Sequence, residues 1–405
     1  MPEAVIVSTA RTPIGRAQKG SLVNCRPDDL TALIVKTVLA KVPELDPNTV
    51  EDLILGCGQP AGESGYNLAR VAAVMAGLDN VPGVTVNRYC SSSLQSIRMA
   101  AHAIKAGEGD VFIAAGVETV SRYAHGFADS GQPNPVFQDA IFRNMGRAEG
   151  GKGTWAPPEG LPDIYIAMGQ TAENVAEFEN VSREEMDEFA ALSQQRATAS
   201  LENGFWEMEI TPVETIDAEG NAVTVTQDDG IRAGTTAEGL SGLKPVFRPD
   251  GKVTAGNACP LNDGAAAVVV MSDTRAKSLG LTPLARIVSS GVTGLNPEIM
   301  GMGPVEACRQ ALGRAGMTID DIDLVEINEA FAAQVIPSAK HLGISWDKLN
   351  VNGGGIAIGH PFGMTGARIM TTLIHGLTAS DKTFGMESMC VGGGQGMAMI
   401  VERLN

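Results

Sequence analysis

Aromatic residues and positive charge are both scarce in this chain of 405 residues. Phenylalanine, tryptophan and tyrosine make up 4% of it, and 30 lysines and arginines stand against 47 aspartates and glutamates. Nucleic acids and anionic membranes bind basic surfaces, so a net charge of −17 argues against a general partner of either kind. A local basic site for a phosphorylated small molecule remains compatible with this balance.

Paired cysteines and long apolar runs are also missing. The six cysteines form no Cys-x-x-Cys pair, which disfavours a structural zinc site or a disulfide scaffold. No run approaches the roughly 18 apolar residues of a membrane span. The first residues lack a basic segment followed by a long apolar one, and the last residues carry no peroxisomal address. The expectation is a cytoplasmic protein without membrane or nucleic-acid partners.

Apolar residues and glycine are plentiful instead. Single cores stop growing near roughly 250–300 residues, so this chain predicts two or three units. The 48 glycines, about 12% of the chain against a usual ~7%, indicate tight turns and close backbone approach. Short apolar runs at 5–8, 53–56, 111–115 and 265–271 are typical of strands buried on both faces. They alternate with helical stretches such as 91–106, which predicts the α/β class.

An internal repeat divides the chain. Segment 50–56 resembles 321–327, 264–272 resembles 396–404, and 4–11 has a weaker counterpart at 284–291. We therefore expect one half built from 1–120 with 250–272, and a second half over 273–405. The remaining stretch, 121–249, is predicted to be an inserted loop domain. Such an insertion often covers a ligand in an enzyme, and a variable surface excursion is the alternative.

Cys90 lies between a predicted strand and a predicted helix. A thiol at a helix start faces unpaired N–H groups and the positive end of the helix dipole, which predicts a lowered pKa and a thiolate. The alternative is a small buried hydrophobic residue.

His360 lies in a glycine-rich loop, 353–366, that also precedes a helix. It stands in the second half where Cys90 stands in the first. A pseudo-twofold relation between the halves would bring both helix starts to one pocket.

Cys390 ends a predicted strand and is followed by the glycine turn 392–396. Successive N–H groups of such a turn can hold an anion. A phosphate loop would need a following Lys-Ser/Thr and a helix, whereas a strand follows here. Two cysteines and a histidine suit covalent thiol chemistry. A cysteine protease also uses a cysteine and a histidine, but it has no need for the second cysteine.

Asn328 and Glu329 end the strand that corresponds to 53–56. Polar groups at strand ends often line the site of an α/β protein. Local capping or pairing is the alternative for Glu329.

Six motifs together carry a resemblance that spans essentially the whole chain: 9–15, 87–92, 256–266, 328–332, 359–366 and 390–396. The chain resembles the thiolases, which comprise acetyl-CoA acetyltransferases and 3-ketoacyl-CoA thiolases, and 359–366 is most like actinobacterial members. The resemblance implies a five-layer α-β-α-β-α fold from two duplicated βαβαβαββ halves, with an inserted loop domain that covers coenzyme A. It also implies a homo-oligomer, either a tight dimer or a tetramer of two dimers.

The resemblance implies a role for each reacting residue. Cys90 would be the acylated nucleophile, and His360 would take its proton. Cys390 would exchange a proton with the α-carbon of acetyl-CoA. Asn328 would hold a water that forms one oxyanion hole with His360, and the N–H groups of Cys90 and Gly392 would form the other. CoA thioesters would be the substrates, with no metal and no permanently bound cofactor.

The resemblance also suggests contacts to CoA and the acyl chain, namely Arg232, Met168, Leu243, Ala255, Cys259, Ala330 and Phe331. Ala167 replaces a histidine of many biosynthetic members, which tilts the expectation towards longer or bulkier 3-ketoacyl substrates. A related condensing synthase is disfavoured because it lacks the Cys390 motif. An acyl-CoA or lipid carrier without turnover is disfavoured because Cys90, His360 and Cys390 are all present.

Overall fold

The computed structural model describes residues 2–150, 153–217 and 220–405. Its strands are β1 Ala4–Arg11, β2 Gly15–Arg16, β3 Asp52–Cys57, β4 Gly83–Val86, β5 Val111–Thr119, β6 Val213–Ile216, β7 Ala222–Val225, β8 Asn262–Ser272, β9 Ala285–Gly294, β10 Leu324–Ile327, β11 Phe384–Val391 and β12 Gln395–Arg403. Its helices are α1 Pro27–Ala40, α2 Leu68–Met75, α3 Ser92–Ala106, α4 Gln138–Ala148, α5 Met168–Phe178, α6 Arg183–Glu202, α7 Ala237–Ser241, α8 Asp273–Ser278, α9 Gly303–Ala315, α10 Ala332–Leu342, α11 Gly355–Ile358 and α12 Thr365–Ala379.

The two halves of the main sheet repeat one strand order. The first half runs β1-β8-β5-β3-β4 and the second runs β9-β12-β11-β10. A parallel bridge between Val325 and Leu349 stands where the first half has β4. The halves join where β1 meets β9, over the pairs Val5–Arg286 and Ile6–Ala285. The repeat seen in the sequence is therefore a repeat of topology.

The five layers of helices and sheets pack together through three apolar cores. The central core lies between the two sheet halves and contains α3 and α12, with Ile97 and Met370 among its residues. Helices α1 and α2 cover the outer face of the first half, and α9 and α10 cover that of the second. Alternate residues of β11 serve different cores, since Met389 faces the central layer and Met386 the outer one. The predicted five-layer α/β fold is confirmed.

The elements extend beyond the predicted apolar runs. Strand β1, for example, continues from the predicted 5–8 to Arg11 along its pairing with β8, and ion pairs with Glu209 and Asp228 neutralise the buried guanidinium of Arg11. Long apolar runs mark only the middle of such strands, so the sequence underestimates their length.

The insertion leaves the first half after β5 and returns at β8. It carries α4 to α7 and the hairpin β6–β7. Helix α6 begins at a capping box, in which Ser182 and Glu185 each accept the other's backbone N–H. The loop-domain boundaries at 121 and 249 stay a prediction. Among the described residues, no helix is both long and apolar enough to cross a membrane.

Candidate active site

The starts of α3 and α12 touch in the central layer. A Cβ on Gly366 would lie 2.3 Å from the backbone nitrogen of Leu94, so only glycine permits this approach. The backbone N–H of Ala367 also donates to Ser93 Oγ at 2.9 Å. The loops that carry Cys90 and His360 directly precede these two helices, so the crossing brings both to one region.

Cys90 lies in the 3-10 turn Tyr89–Ser91 that leads into α3. Tyr89 has a left-handed φ of 42°, and its N–H donates to Asn87 Oδ1 at 2.7 Å. The backbone N–H groups of Gly392 and of Cys90 itself lie beside the Cys90 sulfur and lower the pKa of its thiol. A side chain at Gly392 would press on the Tyr89 ring, since a Cβ there would lie 3.3 Å from Tyr89 Cδ2. The two N–H groups predicted for an oxyanion hole therefore point at one atom.

The expected thiolate at Cys90 was wrong. Burial raises the pKa of the Cys90 thiol to about 12, and the two N–H contacts offset this only in part. The cause is the loss of water around the sulfur, which outweighs the backbone dipoles at the helix start. The resting thiol is therefore protonated and needs a base to become a nucleophile.

His360 is fully buried and neutral. Burial first, and the charge of Arg368 second, lower its pKa to about 3. Its Nδ1 lies 2.6 Å from Thr365 Oγ1, whose own proton goes to the Pro361 carbonyl at 2.8 Å. Nδ1 must therefore carry the ring proton, which leaves Nε2 as the acceptor.

Asn328 places its amide next to that acceptor. Its Nδ2 lies 3.2 Å from His360 Nε2 and donates to it. The backbone of Asn328 is fixed by Gln334 Nε2, at 2.6 Å from its carbonyl, and by the Ser388 carbonyl. Its Oδ1 is buried and has no hydrogen-bond partner among the described residues. A buried carbonyl of this kind suits a bound water, as predicted for this position.

Cys390 lies at the end of β11, fully buried. Burial, and then the nearby Cys90 and Cys259, hold the pKa of its thiol well above the ordinary value. The hairpin to β12 turns at Gly393 and Gly394, with φ of 78° and 79°, where other residues would be strained. The thiols of Cys90, Cys259 and Cys390 therefore lie close together. Cys90 and Cys390 are the two that the sequence predicted as reacting groups.

A cavity of about 330 Å³ borders the neighbourhood of these thiols through Cys259. Three of the predicted contact residues, Arg232, Ala255 and Cys259, line it. Two cations that the sequence motifs do not reveal, Arg16 and Lys19, line it as well. No motif marks them, because only the fold brings the first loop beside the insertion.

The other predicted contacts lie behind the cavity wall. Ala330 accepts the N–H of Cys259 at 3.0 Å. Phe331 packs edge-on against Phe247, with ring centroids 6.1 Å apart.

Two predicted contact residues lie beside the cavity without lining it. Leu243 is exposed and borders the cavity at Gly256, where a Cβ would lie 2.6 Å from Leu243 Cδ1. Met168 packs into the outer core that includes Cys259 and Phe247. Neither Leu243 nor Met168 is among the residues that line the cavity.

Glu118 is a further site residue that the sequence motifs do not reveal. Its buried carboxylate accepts N–H groups from Gly58 at 2.7 Å and Gln59 at 3.2 Å in the first half. It also accepts the N–H of Gly363 at 2.9 Å, so it fixes the His360 loop to the first half. Burial raises the pKa of Glu118 to about 6.

Glu329 pairs with neighbouring polar groups, which is the alternative role that its sequence position allows. Its carboxylate accepts hydrogen bonds from Ser193 at 2.6 Å, Asn350 at 2.8 Å and the N–H of Ile356 at 3.1 Å. These contacts join three segments around the loop before His360. Glu329 therefore supports the site rather than facing the cavity.

Comparison with known proteins decides the family. The models for the thiolase N-terminal domain and the thiolase C-terminal domain match residues 4–274 and 281–403. The chain belongs to the thiolase family. The family recognised from the motifs is thus confirmed.

Relatives align with this thiolase from end to end. A 3-ketoacyl-CoA thiolase of Bacillus subtilis is 45% identical, with 99% of this chain and 100% of the relative covered. A 3-ketoacyl-CoA thiolase of Aeromonas salmonicida is 44% identical, with both chains covered completely. The crystal structure of the Bacillus anthracis acetyl-CoA acetyltransferase superposes with a TM-score of 0.86 at 39% identity, covering 100% of this chain and 99% of that one.

Proposed function

We propose that this thiolase is an acetyl-CoA C-acyltransferase that cleaves 3-ketoacyl-CoA with CoA through an acyl-Cys90 intermediate. In reverse it would condense two molecules of acetyl-CoA. The observation that carries the proposal is that the crossing of α3 and α12 brings the loop of a protonated Cys90 thiol to that of a neutral His360, whose Nε2 carries no proton and can take one. The named relatives support the same activity.

In the first step His360 Nε2 takes the Cys90 proton while the sulfur attacks the 3-keto carbon. The negative charge that develops on the keto oxygen is stabilised by the N–H groups of Cys90 and Gly392, which already converge on the sulfur. Because these donors are backbone groups, they need no rearrangement as the charge forms.

In the second step the bond between the α- and β-carbons breaks. The acyl group stays on Cys90, and acetyl-CoA leaves as an enolate that the Cys390 thiol protonates. His360 and a water on Asn328 would stabilise the enolate oxygen, and the unpartnered Oδ1 of Asn328 supports this role. Free CoA then gives its thiol proton to the Cys390 thiolate, and its sulfur attacks the acyl group. The bond to Cys90 breaks, and the Cys90 sulfur takes back the proton held by His360.

The cavity supplies the contacts for CoA, which enters as a substrate and not as a resident cofactor. Arg16, Lys19 and Arg232 would bind its phosphates, which an enzyme of net charge −17 otherwise repels. The pantetheine arm would pass Ala255 and Cys259 on its way to Cys90.

A homo-oligomer also forms part of the proposal, as a dimer or a dimer of dimers. Strand β4 ends the sheet and pairs only with β3 among the described residues. Exposed Tyr66, Val74 and Met75 stand near this edge on α2 and the loop before it. An open edge flanked by apolar side chains favours pairing with a second copy. A cytoplasmic location remains a prediction from the sequence.

The decisive assay follows the enolate absorbance of acetoacetyl-CoA. A thiolase makes it disappear only when CoA is added, with acetyl-CoA as the product. Binding without CoA-dependent loss would instead favour an acyl-CoA carrier, and activity that requires a different acceptor would favour a condensing synthase.

The acyl-chain preference is tested with a ladder of 3-ketoacyl-CoA substrates, including a sterol-like one. We expect the kcat/KM to rise beyond the four-carbon substrate, because Ala167 leaves room where many biosynthetic members have histidine. A maximum at acetoacetyl-CoA would contradict this preference and leave the reaction itself intact.

A further inference from the structure

A second basic cavity lies between α3 and β9, away from the predicted CoA site. It has a volume of about 370 Å³. We call it the α3–β9 groove and define it by Arg98, His102 and Lys105 on α3, Ser290 on β9, Arg314 on α9 and Met399 on β12.

The groove exists because the two sheet halves separate here. Strands β1 and β9 pair over only two residues each, which leaves the rest of that edge of β9 open. Lys105 Nζ donates to the Ile287 carbonyl at 3.3 Å, and Arg314 Nη1 donates to the Ser290 carbonyl at 2.6 Å. Arg98 Nε donates to Ser290 Oγ at 3.1 Å. These bonds hold the three cations in place.

The positive charge of the groove is not neutralised within the described residues. No carboxylate lines the groove, and none lies within ion-pair distance of Arg98, Lys105 or Arg314. Helices α3 and α9 end nearby, but two helix ends supply only about one negative charge together. Three permanent cations therefore leave an excess, and each guanidinium keeps N–H donors that its single bond does not use.

The predicted CoA cavity has the same signature. It contains Arg16, Lys19 and Arg232 and no carboxylate. Two other cavities are different, because Glu185 and Glu188 line one and Glu207 and Asp228 line another. In this acidic protein, a cavity with three cations and no acid is the arrangement expected for a phosphorylated ligand.

We propose that the α3–β9 groove binds a small organic phosphate, a phosphomonoester or diphosphate of nucleotide size. The donors are those that phosphate oxygens prefer, namely two arginines that can bind in a bidentate manner and one lysine. Arg98 lies eight residues after Cys90 along α3, roughly 12 Å at the helical rise. The ligand would therefore bind apart from the reacting thiols.

The test is calorimetric titration of the full-length enzyme with inorganic phosphate, pyrophosphate, ADP and 3′,5′-ADP. We expect ADP or pyrophosphate to bind the wild type, and the double variant Arg98→Gln/Arg314→Gln to bind at least tenfold more weakly, since charge-assisted hydrogen bonds are lost. Arg309→Gln is the matched control, because Arg309 lies on α9 together with Arg314 and already pairs with Glu306. Binding by phosphate alone would identify the free ion as the ligand, and binding that needs the nucleoside would identify a nucleotide.

A second set of variants separates this site from the CoA cavity. Arg232→Gln should weaken CoA binding and leave groove binding unchanged, while the groove variant should do the reverse. Lys105→Gln provides a milder single change if the double variant does not fold. Equal affinity of wild type and both groove variants for every probe would overturn the proposal. A change of molecular mass without a change in anion affinity would also overturn it and assign the groove to contact between copies.

Discussion

The helices α3 and α12 hold equivalent places in the two halves but bring opposite chemistry to the site. The turn before α3 supplies a thiol whose pKa burial raises to about 12. The glycine loop before α12 supplies an imidazole whose pKa burial lowers to about 3. One environment thus keeps both groups neutral, so one can give a proton and the other can take it. Equivalent helix starts of a duplicated scaffold can therefore provide an acid and a base.

In the proposed mechanism the first half supplies the nucleophile, so the largest effect is expected at Cys90. Cys90→Ala should abolish both acyl transfer and carbon–carbon cleavage, because no acyl-enzyme can form. Peptide mass spectrometry after incubation with acetyl-CoA should find the acetyl group on Cys90 in the wild type. Cys308→Ala, a change in the outer core, is the matched control and should keep the label. Acetyl on another cysteine with Cys90 unmodified would overturn the assignment.

In the proposed mechanism the second half supplies the base, and Thr365 sets its tautomer. Thr365→Val keeps the shape but removes the acceptor for His360 Nδ1, so kcat should fall about tenfold with little change in KM. Thr365→Ser should restore the rate. Thr371→Val removes a hydroxyl that bonds only the Ala367 carbonyl on the same helix and serves as control. Equal losses in the two valine variants would mean that Thr365 acts through helix stability alone.

In the proposed mechanism the insertion contributes binding rather than chemistry. Arg232→Ala should raise the KM for CoA about 5- to 10-fold and change kcat little, because the contact is remote from the reacting carbon. Arg275→Ala, on the short helix α8, is the control for a general loss of positive charge. An unchanged KM in Arg232→Ala would remove this residue from the CoA site.

The smallest predicted effect is on the pH profile. Burial is the main reason that the pKa of His360 is low, and the Arg368 charge lowers it further by opposing protonation. Arg368→Met should therefore move the acidic limb of kcat/KM to higher pH, whereas Arg368→Lys should keep it in place. An acidic limb at the same pH in both variants would show that the Arg368 charge does not reach His360.

The sequence predicted the parts of the fold that repeat locally. The paired segments 50–56 and 321–327 became β3 and β10, and the glycine loop at 353–366 does bring His360 to the start of a helix. Strand ends and glycine spacing are local properties of the chain, which is why Cys90, His360, Cys390 and Asn328 stand out from the sequence alone.

The features that the sequence did not predict depend on contacts between segments that are distant along the chain. The pKa of Cys90 is set by burial in the folded chain, which no local pattern reports. Glu118 lies 245 residues from Gly363, whose N–H it accepts, and only the fold brings them together. Arg16 and Lys19 join the CoA cavity for the same reason.

The division of labour between the halves is tested most directly by two rates of Cys390→Ser. One is acetyl exchange between acetyl-CoA and a CoA analogue, and the other is thiolysis of acetoacetyl-CoA. Serine keeps the size but has a far higher pKa, so thiolysis should fall about 10²- to 10⁴-fold while exchange, which forms no carbanion, falls much less. Equal losses in both rates would contradict a dedicated proton carrier at Cys390 and reduce it to a packing residue beneath Gly392.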